Sequence, residues 1–235
     1  MEISKGIEIV DLCLYVKKEK ILILADTHIG YEESLNKQGV LIPRFQFKET
    51  IKRLEGIFKK VGKVDKIIIN GDVKHEFGTI SEQEWRHTLQ LLDFLGRKCN
   101  EIILIKGNHD TILGPIAEKR KVKVVDNYKI KDILIVHGHK VPELKGVKTI
   151  IIGHEHPAVN IREGVRVELF KCFLKGKFQR KTLIVQPSFN LVTEGTDILK
   201  SKLLSPFLQH DLSNFKCFVV GDEVYNFGKL KKLLN

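Results

Sequence analysis

Five short apolar segments, each followed by a cluster of Asp, Asn and His, constrain the fold of this chain more than any other sequence feature. The segments have four to six residues, are rich in Ile, Leu and Val, and cover residues 20–25, 66–69, 101–105, 132–136 and 149–152. Continuous apolar runs of this length are typical of strands buried on both faces of a sheet. The sequence therefore predicts at least five buried strands.

Helical patterns lie between the first three of these strands. Residues 47–61 repeat apolar side chains at i+3 and i+4, which predicts an amphipathic helix. A second helix is predicted over residues 81–96, with Ser81 as N-cap, Glu84 completing a capping box and Gly96 at the end. The order predicts an α/β fold that becomes β-rich in its second half, with two packed sheets and helices outside. No linker-like stretch divides the chain, so a single domain over residues 1–235 is expected.

The polar clusters predict a metal centre. Ligands of α/β sheets bind outside the carboxyl ends of the strands, and each cluster follows a predicted strand at that end. Asp, Asn and His side chains are common ligands of divalent metals. Seven residues are candidate ligands: Asp26, His28, Asp72, Asn108, His137, His154 and His156. Seven are too many for one ordinary site but suit two metals that share a carboxylate.

Other polar residues near the clusters have an open interpretation. His139 follows His137 by two residues, so either can be the ligand, and the position directly at the strand end favours His137. His75 can contact substrate or be a neighbouring surface group. Arg44 can bind a phosphate through its guanidinium or be solvated. His87 lies on a predicted helix and is expected to have no role at the site.

The clusters together resemble the calcineurin-like metallophosphoesterase superfamily. The family pattern D-x-H, G-D, G-N-H-[DE], H and G-H-x-H occurs in order at residues 26–28, 71–72, 107–110, 137 and 153–156. A looser similarity, in residues 39–43, 71–75 and 186–190, is to the small prokaryotic branch found beside Lhr-type helicases and DNA-repair genes. Many relatives have an Asp where this chain has His75, which puts substrate choice in doubt but not metal binding.

The resemblance implies a four-layer α/β/β/α fold and two divalent metal ions. It implies that Asp26, His28 and His156 bind the first metal ion. Asn108, His137 and His154 would bind the second, and the Asp72 carboxylate would bridge the two. Manganese is the metal that the family suggests, and Fe²⁺, Zn²⁺ and Ni²⁺ fit the same mixed ligands.

The resemblance also implies a reaction. His109 would act as general acid or charge stabiliser at the leaving group, and Asp110 would orient it. A metal-bridging hydroxide would attack the phosphorus of a phosphodiester, with DNA or another nucleic acid as the expected substrate. A helicase or repair protein is the partner that the looser similarity suggests, and the oligomeric state is not predicted.

Charge agrees with a polyanionic substrate but does not establish one. Lys and Arg total 40 against 29 Asp and Glu, so the net charge is +11. Residues 170–181 interleave phenylalanines with cations, which suits either nucleic-acid binding or a strand pair with its aromatic side chains in the core. Two alternatives therefore stay open: a phosphatase or pyrophosphatase acting on small nucleotides, and a non-catalytic scaffold that binds nucleic acid or protein.

The remaining sequence features concern the cellular setting. The four cysteines are scattered, which is typical of reduced thiols rather than of a disulfide framework. The longest apolar runs are far shorter than the roughly 20 residues of a membrane-spanning helix, and the N-terminal residues lack a signal-peptide pattern. A cytoplasmic protein without membrane contact is therefore expected.

Overall fold

The first sheet of the computed structural model has seven strands in chain order. The structure describes residues 1–43, 45–76, 81–110, 118–120 and 122–233. The strands are β1 (Glu2–Ser4), β2 (Ile7–Val10), β3 (Cys13–Val16), β4 (Ile21–Ala25), β5 (Lys66–Asn70), β6 (Glu101–Ile105) and β7 (Lys123–Val125). Strands β1 to β4 pair antiparallel and β4 to β7 pair parallel. The first three predicted strands are therefore adjacent and parallel.

The second sheet has nine strands. They are β8 (Asn127–Ile130), β9 (Ile133–Val136), β10 (Thr149–Ile152), β11 (Pro157–Glu163), β12 (Arg166–Phe178), β13 (Lys181–Val185), β14 (Thr196–Asp197), β15 (Lys216–Val220) and β16 (Val224–Lys229). The two predicted strands β9 and β10 are neighbours, and β10 also pairs parallel with β13. Strand β12 pairs antiparallel with β11, β13 and β15.

The α-helices whose bounds the structure describes are α1 (Tyr31–Lys37), α2 (Gln46–Val61) and α3 (Glu82–Gly96). Helices α2 and α3 are the predicted ones, and the Ser81 hydroxyl accepts the N–H of Glu84 as an N-cap should. Helix α1 and strands β1 to β3 were not predicted. None of the described helices is long and apolar enough to cross a bilayer.

The two sheets face each other across a common core. Ile23 and Ile68 of the first sheet belong to the same buried cluster as Ile151 and Phe173 of the second, and α2 and α3 pack against it. A second cluster covers the opposite face of the second sheet and includes Phe207 of a short 3-10 helix, Pro206–Leu208. The prediction of a two-sheet sandwich flanked by helices is confirmed.

The basic and aromatic residues 170–181 are explained by this packing. Most of them lie in β12, where Phe173 is fully buried between the sheets and Phe170 and Phe178 pack against the second cluster. The phenylalanines are therefore core side chains of a strand pair, which is the simpler of the two interpretations of the segment.

The four cysteines also fit the core. Cys13, Cys99, Cys172 and Cys217 are all free thiols and all buried. This agrees with the prediction that they do not form a disulfide framework.

Candidate metal centre

The carboxyl ends of the parallel strands of both sheets meet at one edge of the sandwich. Asp26 follows β4 and His137 follows β9 of the other sheet, yet Asp26 Oδ1 and His137 Nδ1 are 3.4 Å apart. The Asp26 carboxylate also accepts the backbone N–H of His154, which follows β10, at 2.9 Å. Residues from three separate loops of the two sheets therefore meet in one small volume.

Three predicted ligands form what we call the first donor group: Asp26, His28 and His156. One ligand atom from each lies within 4.8 Å of the others. The two Nε2 atoms of His28 and His156 are 3.3 Å apart, and His156 Nε2 is 3.6 Å from Asp26 Oδ1. The group is held between the two sheets, since His28 follows β4 and His156 follows β10.

The other three predicted non-bridging ligands, Asn108, His137 and His154, form the second donor group. Asn108 Oδ1 lies 3.0 Å from His137 Nε2, and the rings of His137 and His154 have centroids 4.8 Å apart. His137 is completely buried. The second group therefore adjoins the first on the side of strands β6 and β9.

Asp72 lies between the two groups. Its Oδ2 atom is 3.4 Å from His137 Nε2 and 3.9 Å from His28 Nε2. Its Oδ1 atom accepts the backbone N–H of His109 at 2.9 Å, which fixes the orientation of the carboxylate. One carboxylate thus faces both groups, an arrangement that suits two ions sharing it.

The backbone of this site is strained. Five of the seven predicted ligands have a positive φ between +43° and +66°: Asp26, His28, Asp72, His154 and His156. Non-glycine residues rarely adopt this left-handed conformation, which costs of the order of 1–3 kcal/mol each and persists only where the surroundings enforce it. Such strain concentrates at functional sites, and here it turns side chains from separate loops toward one point.

Burial and neighbouring charges set the protonation of the site. Burial, followed by the charge of His156, lowers the pKa of His28 to about 3, and burial beside His137 lowers that of His154 to about 4. Burial also disfavours a charged His137, but the Asp72 and Asp26 carboxylates outweigh it and raise that pKa to about 9. Burial raises the pKa of Asp72, but the hydrogen bond and charge of His137 outweigh it and lower that pKa. Near neutral pH the carboxylate is charged while His28 and His154 are neutral bases.

These residues fit metal ions. The Asp26 Oδ1 and His28 Nδ1 atoms are buried without a hydrogen-bond partner among the described residues, although buried polar atoms are normally paired. The donor atoms of Asp26, His28 and His156 lie within 4.8 Å of one another, and so do those of Asp72, His137 and His154. The mixture of nitrogen and oxygen donors suits Mn²⁺, Fe²⁺, Zn²⁺ or Ni²⁺ rather than a purely oxygen-seeking ion.

His109 lies beside this centre. Its Nδ1 atom is 2.7 Å from the carbonyl oxygen of His75, and since a carbonyl only accepts, Nδ1 carries the proton. Nε2 then faces the site, 3.9 Å from Asp72 Oδ2. The family resemblance implied that Asp110 orients this ring, and that expectation was wrong: the two Asp110 oxygens accept the backbone N–H groups of Gly107 and Val73. Asp110 therefore fixes the loops, while His75 fixes the ring.

The residues left open by the sequence lie at different distances from the centre. The His75 ring is 5.5 Å from that of His28 and 5.6 Å from that of His109, so it borders the site. The His139 ring borders it as well, 5.3 Å from that of His137 and 6.1 Å from that of His154. His87 stacks on Phe47 between helices, as a residue without a role at the site should. Arg44 lies outside the described residues.

Sequence reasoning missed a buried lysine beside the site. Lys74 is fully buried, and its ammonium donates to the carbonyl oxygens of Glu76 and, at 2.8 Å, His109. Glu84 of α3 accepts the backbone N–H groups of His75 and Glu76. Together they hold the loop after Asp72. Composition gives no signal for such a lysine, because Lys is rarely buried.

A tight contact between two loops predicts the effect of a single methyl group. A Cβ on Gly107 would lie 2.0 Å from Asp72 Oδ1 and 2.4 Å from its backbone nitrogen. We expect Gly107→Ala to lower the free energy of unfolding by about 1–3 kcal/mol, as overpacking does. Urea denaturation measures this change.

Gly56 provides the control for that prediction. It lies inside α2, and a Cβ there would meet nothing within 4 Å. Gly56→Ala should therefore raise the free energy of unfolding by about 0.5–1 kcal/mol. A Gly107→Ala protein as stable as the wild type would contradict the close packing of the two loops.

Comparison with known proteins agrees with this geometry. Residues 19–150, more than half of the chain, match the profile of the calcineurin-like phosphoesterases. The chain belongs to this family. As a calcineurin-like phosphoesterase it is a hydrolase of phosphoric esters, and its Asp and His groups have the spacing needed to hold metal ions. A search of curated protein sequences finds no match.

Two solved structures are similar to this phosphoesterase to different degrees. Nuclease MPE of Pseudomonas putida is 21% identical, with a TM-score of 0.65 and 93% of each chain covered. YfcE, a phosphoesterase from E. coli, is 13% identical with a TM-score of 0.43, covering 92% of this chain and 99% of its own. At this identity the similarity to MPE establishes the fold.

Proposed function

We propose that this phosphoesterase hydrolyses phosphodiester bonds with two divalent metal ions, and that its substrate is DNA or another nucleic acid. The observation that carries the proposal is the position of Asp72, whose Oδ2 atom lies 3.4 Å from His137 and 3.9 Å from His28. One carboxylate thus links two donor groups. The first group would hold one ion, the second group the other, and Asp72 both.

Each residue of the site has a defined task in this proposal. The metals, for which Mn²⁺ is our choice, would activate water and neutralise charge on the phosphate. As an imidazolium, His109 would donate the proton on Nε2 to the leaving oxygen, while its Nδ1–H stays hydrogen-bonded to the His75 carbonyl. Asp110 and Lys74 keep the loops of Asp72 and His109 in place.

A nucleic-acid substrate is supported by charge and by one structural relative. The chain has a net charge of +11, which attracts polyanions. The P. putida protein of similar fold is a nuclease. A phosphatase or pyrophosphatase of nucleotides would use the same metal chemistry and remains the second candidate.

The test combines a small ester with nucleic acid. Hydrolysis of bis-p-nitrophenyl phosphate with Mn²⁺ is measured beside cleavage of labelled single- and double-stranded DNA over a range of salt concentrations. We expect cleavage of both, with DNA cleavage falling steeply as salt rises because polynucleotide binding releases counterions. Hydrolysis of the small ester alone would favour nucleotides as substrates. Binding of DNA without any hydrolysis would support the scaffold alternative.

Metal binding should release a proton from His137. With a pKa of about 9 in the metal-free protein, His137 is protonated at pH 7, whereas a metal ligand must be neutral. Binding at pH 7 should therefore release about one proton. Calorimetric titration in two buffers of different ionisation enthalpy measures the number, and His137→Gln should abolish that release. A wild-type protein that releases none would argue against His137 as a ligand.

The cellular setting completes the proposal. We propose one domain over residues 1–235, located in the cytoplasm and working with a helicase or repair protein. The four buried free thiols are compatible with a reducing compartment. Co-purification with tagged chain from its own cells tests for such a partner.

A further inference from the structure

A second buried lysine contacts a segment that adjoins the first donor group. Lys171 is in β12 and only 5% exposed. Its ammonium donates to the Ser188 hydroxyl at 2.9 Å and to the Thr193 carbonyl oxygen at 2.6 Å. Burial lowers the pKa of Lys171 to about 8, with the Glu194 carboxylate opposing that shift. Burying a charged lysine costs free energy, so its burial with two hydrogen bonds indicates a specific role for this side chain.

Both acceptors belong to segment 186–196, which runs along the first donor group. The N–H of Phe189 donates to the Ala25 carbonyl at 2.7 Å, and the N–H of Asn190 donates to the Asp26 carbonyl at 3.2 Å. At the other end, the N–H of Thr196 donates to the His156 carbonyl at 2.9 Å. The segment therefore contacts the backbone of two of the three residues in that group.

The backbone that the segment contacts is strained. Asp26 and His156 have φ of 53° and 51°, and such conformations persist only when neighbouring contacts enforce them. Segment 186–196 also approaches very closely, since a Cβ on Gly195 would lie 2.1 Å from the His156 carbonyl oxygen. The Lys171 ammonium links Ser188 to Thr193 within this segment. It thereby stabilises the conformation in which the segment contacts both Asp26 and His156.

We propose that Lys171 is a positioning residue for the metal at the first donor group, acting through segment 186–196. The inference rests on the two-metal function proposed above. Lys171 itself neither binds the metal nor touches the phosphate. Its ammonium fixes the separation of Asp26 and His156, and groups that orient metal ligands in this way typically change metal affinity by 10–100-fold when removed.

The test is direct measurement of Mn²⁺ binding to Lys171→Met, which keeps the length of the side chain and removes its charge and donors. Titration calorimetry should show one of two affinities weakened by roughly 10–100-fold and the other unchanged. The weakened affinity should be the one that His156→Gln removes. The Mn²⁺ concentration for half-maximal hydrolysis should rise in parallel, while KM for the ester stays the same.

Lys175→Met is the matched control. Lys175 is on the same strand, is half-buried and also donates to a backbone carbonyl, that of Ile3, but it contacts no part of segment 186–196 that the structure describes. Both Mn²⁺ affinities should be unchanged in this variant. A fall in the melting temperature of either protein measures the merely structural contribution separately.

Two results would overturn the inference. One is a folded Lys171→Met protein that binds both ions as the wild type does, even if it melts earlier. If Lys171→Met does not fold, Ser188→Ala is measured in its place. The second overturning result is a Ser188→Ala protein whose two Mn²⁺ affinities equal those of the wild type. Absence of Mn²⁺ binding by the wild-type protein would instead reject the two-metal function on which the inference rests.

Discussion

Replacing Asp72 by Asn should reduce kcat/KM for phosphodiester hydrolysis by at least about 1,000-fold. A metal ion supplies several kcal/mol of transition-state stabilisation, and each 1.36 kcal/mol is a factor of ten. Asn keeps the size of the side chain and can still accept the N–H of His109, which Asp72 Oδ1 accepts at 2.9 Å. The fold should therefore survive while the charge facing both donor groups is lost. Steady-state kinetics with bis-p-nitrophenyl phosphate measures the effect.

A matched Asp-to-Asn change on the surface controls for the loss of charge alone. Asp93 is partly exposed on α3, where its described ion pair is with Arg120 and not with a predicted ligand. Asp93→Asn should leave kcat/KM unchanged and alter stability little, as exposed ion pairs contribute about 0–1 kcal/mol. An Asp72→Asn enzyme with activity near that of Asp93→Asn would show that Asp72 is not a bridging ligand.

Replacing His109 by Gln should lower kcat without weakening metal binding. General acid catalysis contributes about 10²–10⁴-fold, and the loss should be largest for substrates with poor leaving groups. The leaving group of DNA is an alkoxide, whereas that of bis-p-nitrophenyl phosphate is a stabilised phenolate. Hydrolysis of DNA should therefore be slowed more than hydrolysis of the small ester. Measuring kcat on both substrates, together with Mn²⁺ affinity, tests this difference.

His87→Gln is the control for that change. His87 stacks on Phe47 away from the metal centre, so its replacement should leave both reactions unchanged. Equal losses on the two substrates in His109→Gln would point to charge stabilisation instead of proton donation. Loss of Mn²⁺ binding in His109→Gln would mean that the residue supports a ligand rather than the leaving group.

The buried strands and the contents of the site could be predicted because both leave a local signal. Runs such as residues 21–25 are apolar throughout, which is typical of a strand buried on both faces of the sheet. The clusters of Asp, Asn and His directly follow these runs. The structure brings all seven candidate ligands to one edge. Parallel strands end together, so sequence order was enough to predict that these residues meet.

Other parts of the structure have no such signal. Strands β1 to β3 have only three or four residues each, and charged residues such as Glu8 interrupt their apolar pattern. The backbone of Asp26, whose φ is positive, is contacted by segment 186–196, more than 150 residues away in sequence. The role of Asp110 also depended on the backbone of another loop, so the ring-orienting role implied by resemblance did not hold.

Buried lysines are the clearest case of a missed feature. Lys74 and Lys171 lie in charged stretches of sequence where lysine is normally solvated, and only the tertiary structure provides the carbonyl and hydroxyl groups that accept their hydrogen bonds. Sequence periodicity cannot predict them, because their acceptors come from other loops.

The most direct test of the two-metal account is the number of ions that the wild-type chain binds, measured together with its activity. Metal-free protein is titrated with Mn²⁺, and bound metal and hydrolysis of bis-p-nitrophenyl phosphate are followed in the same samples. We expect two ions per chain, with hydrolysis appearing only as the second ion binds. Hydrolysis by the metal-free protein, or no bound metal with any of Mn²⁺, Fe²⁺, Zn²⁺ and Ni²⁺, would contradict the two-metal account.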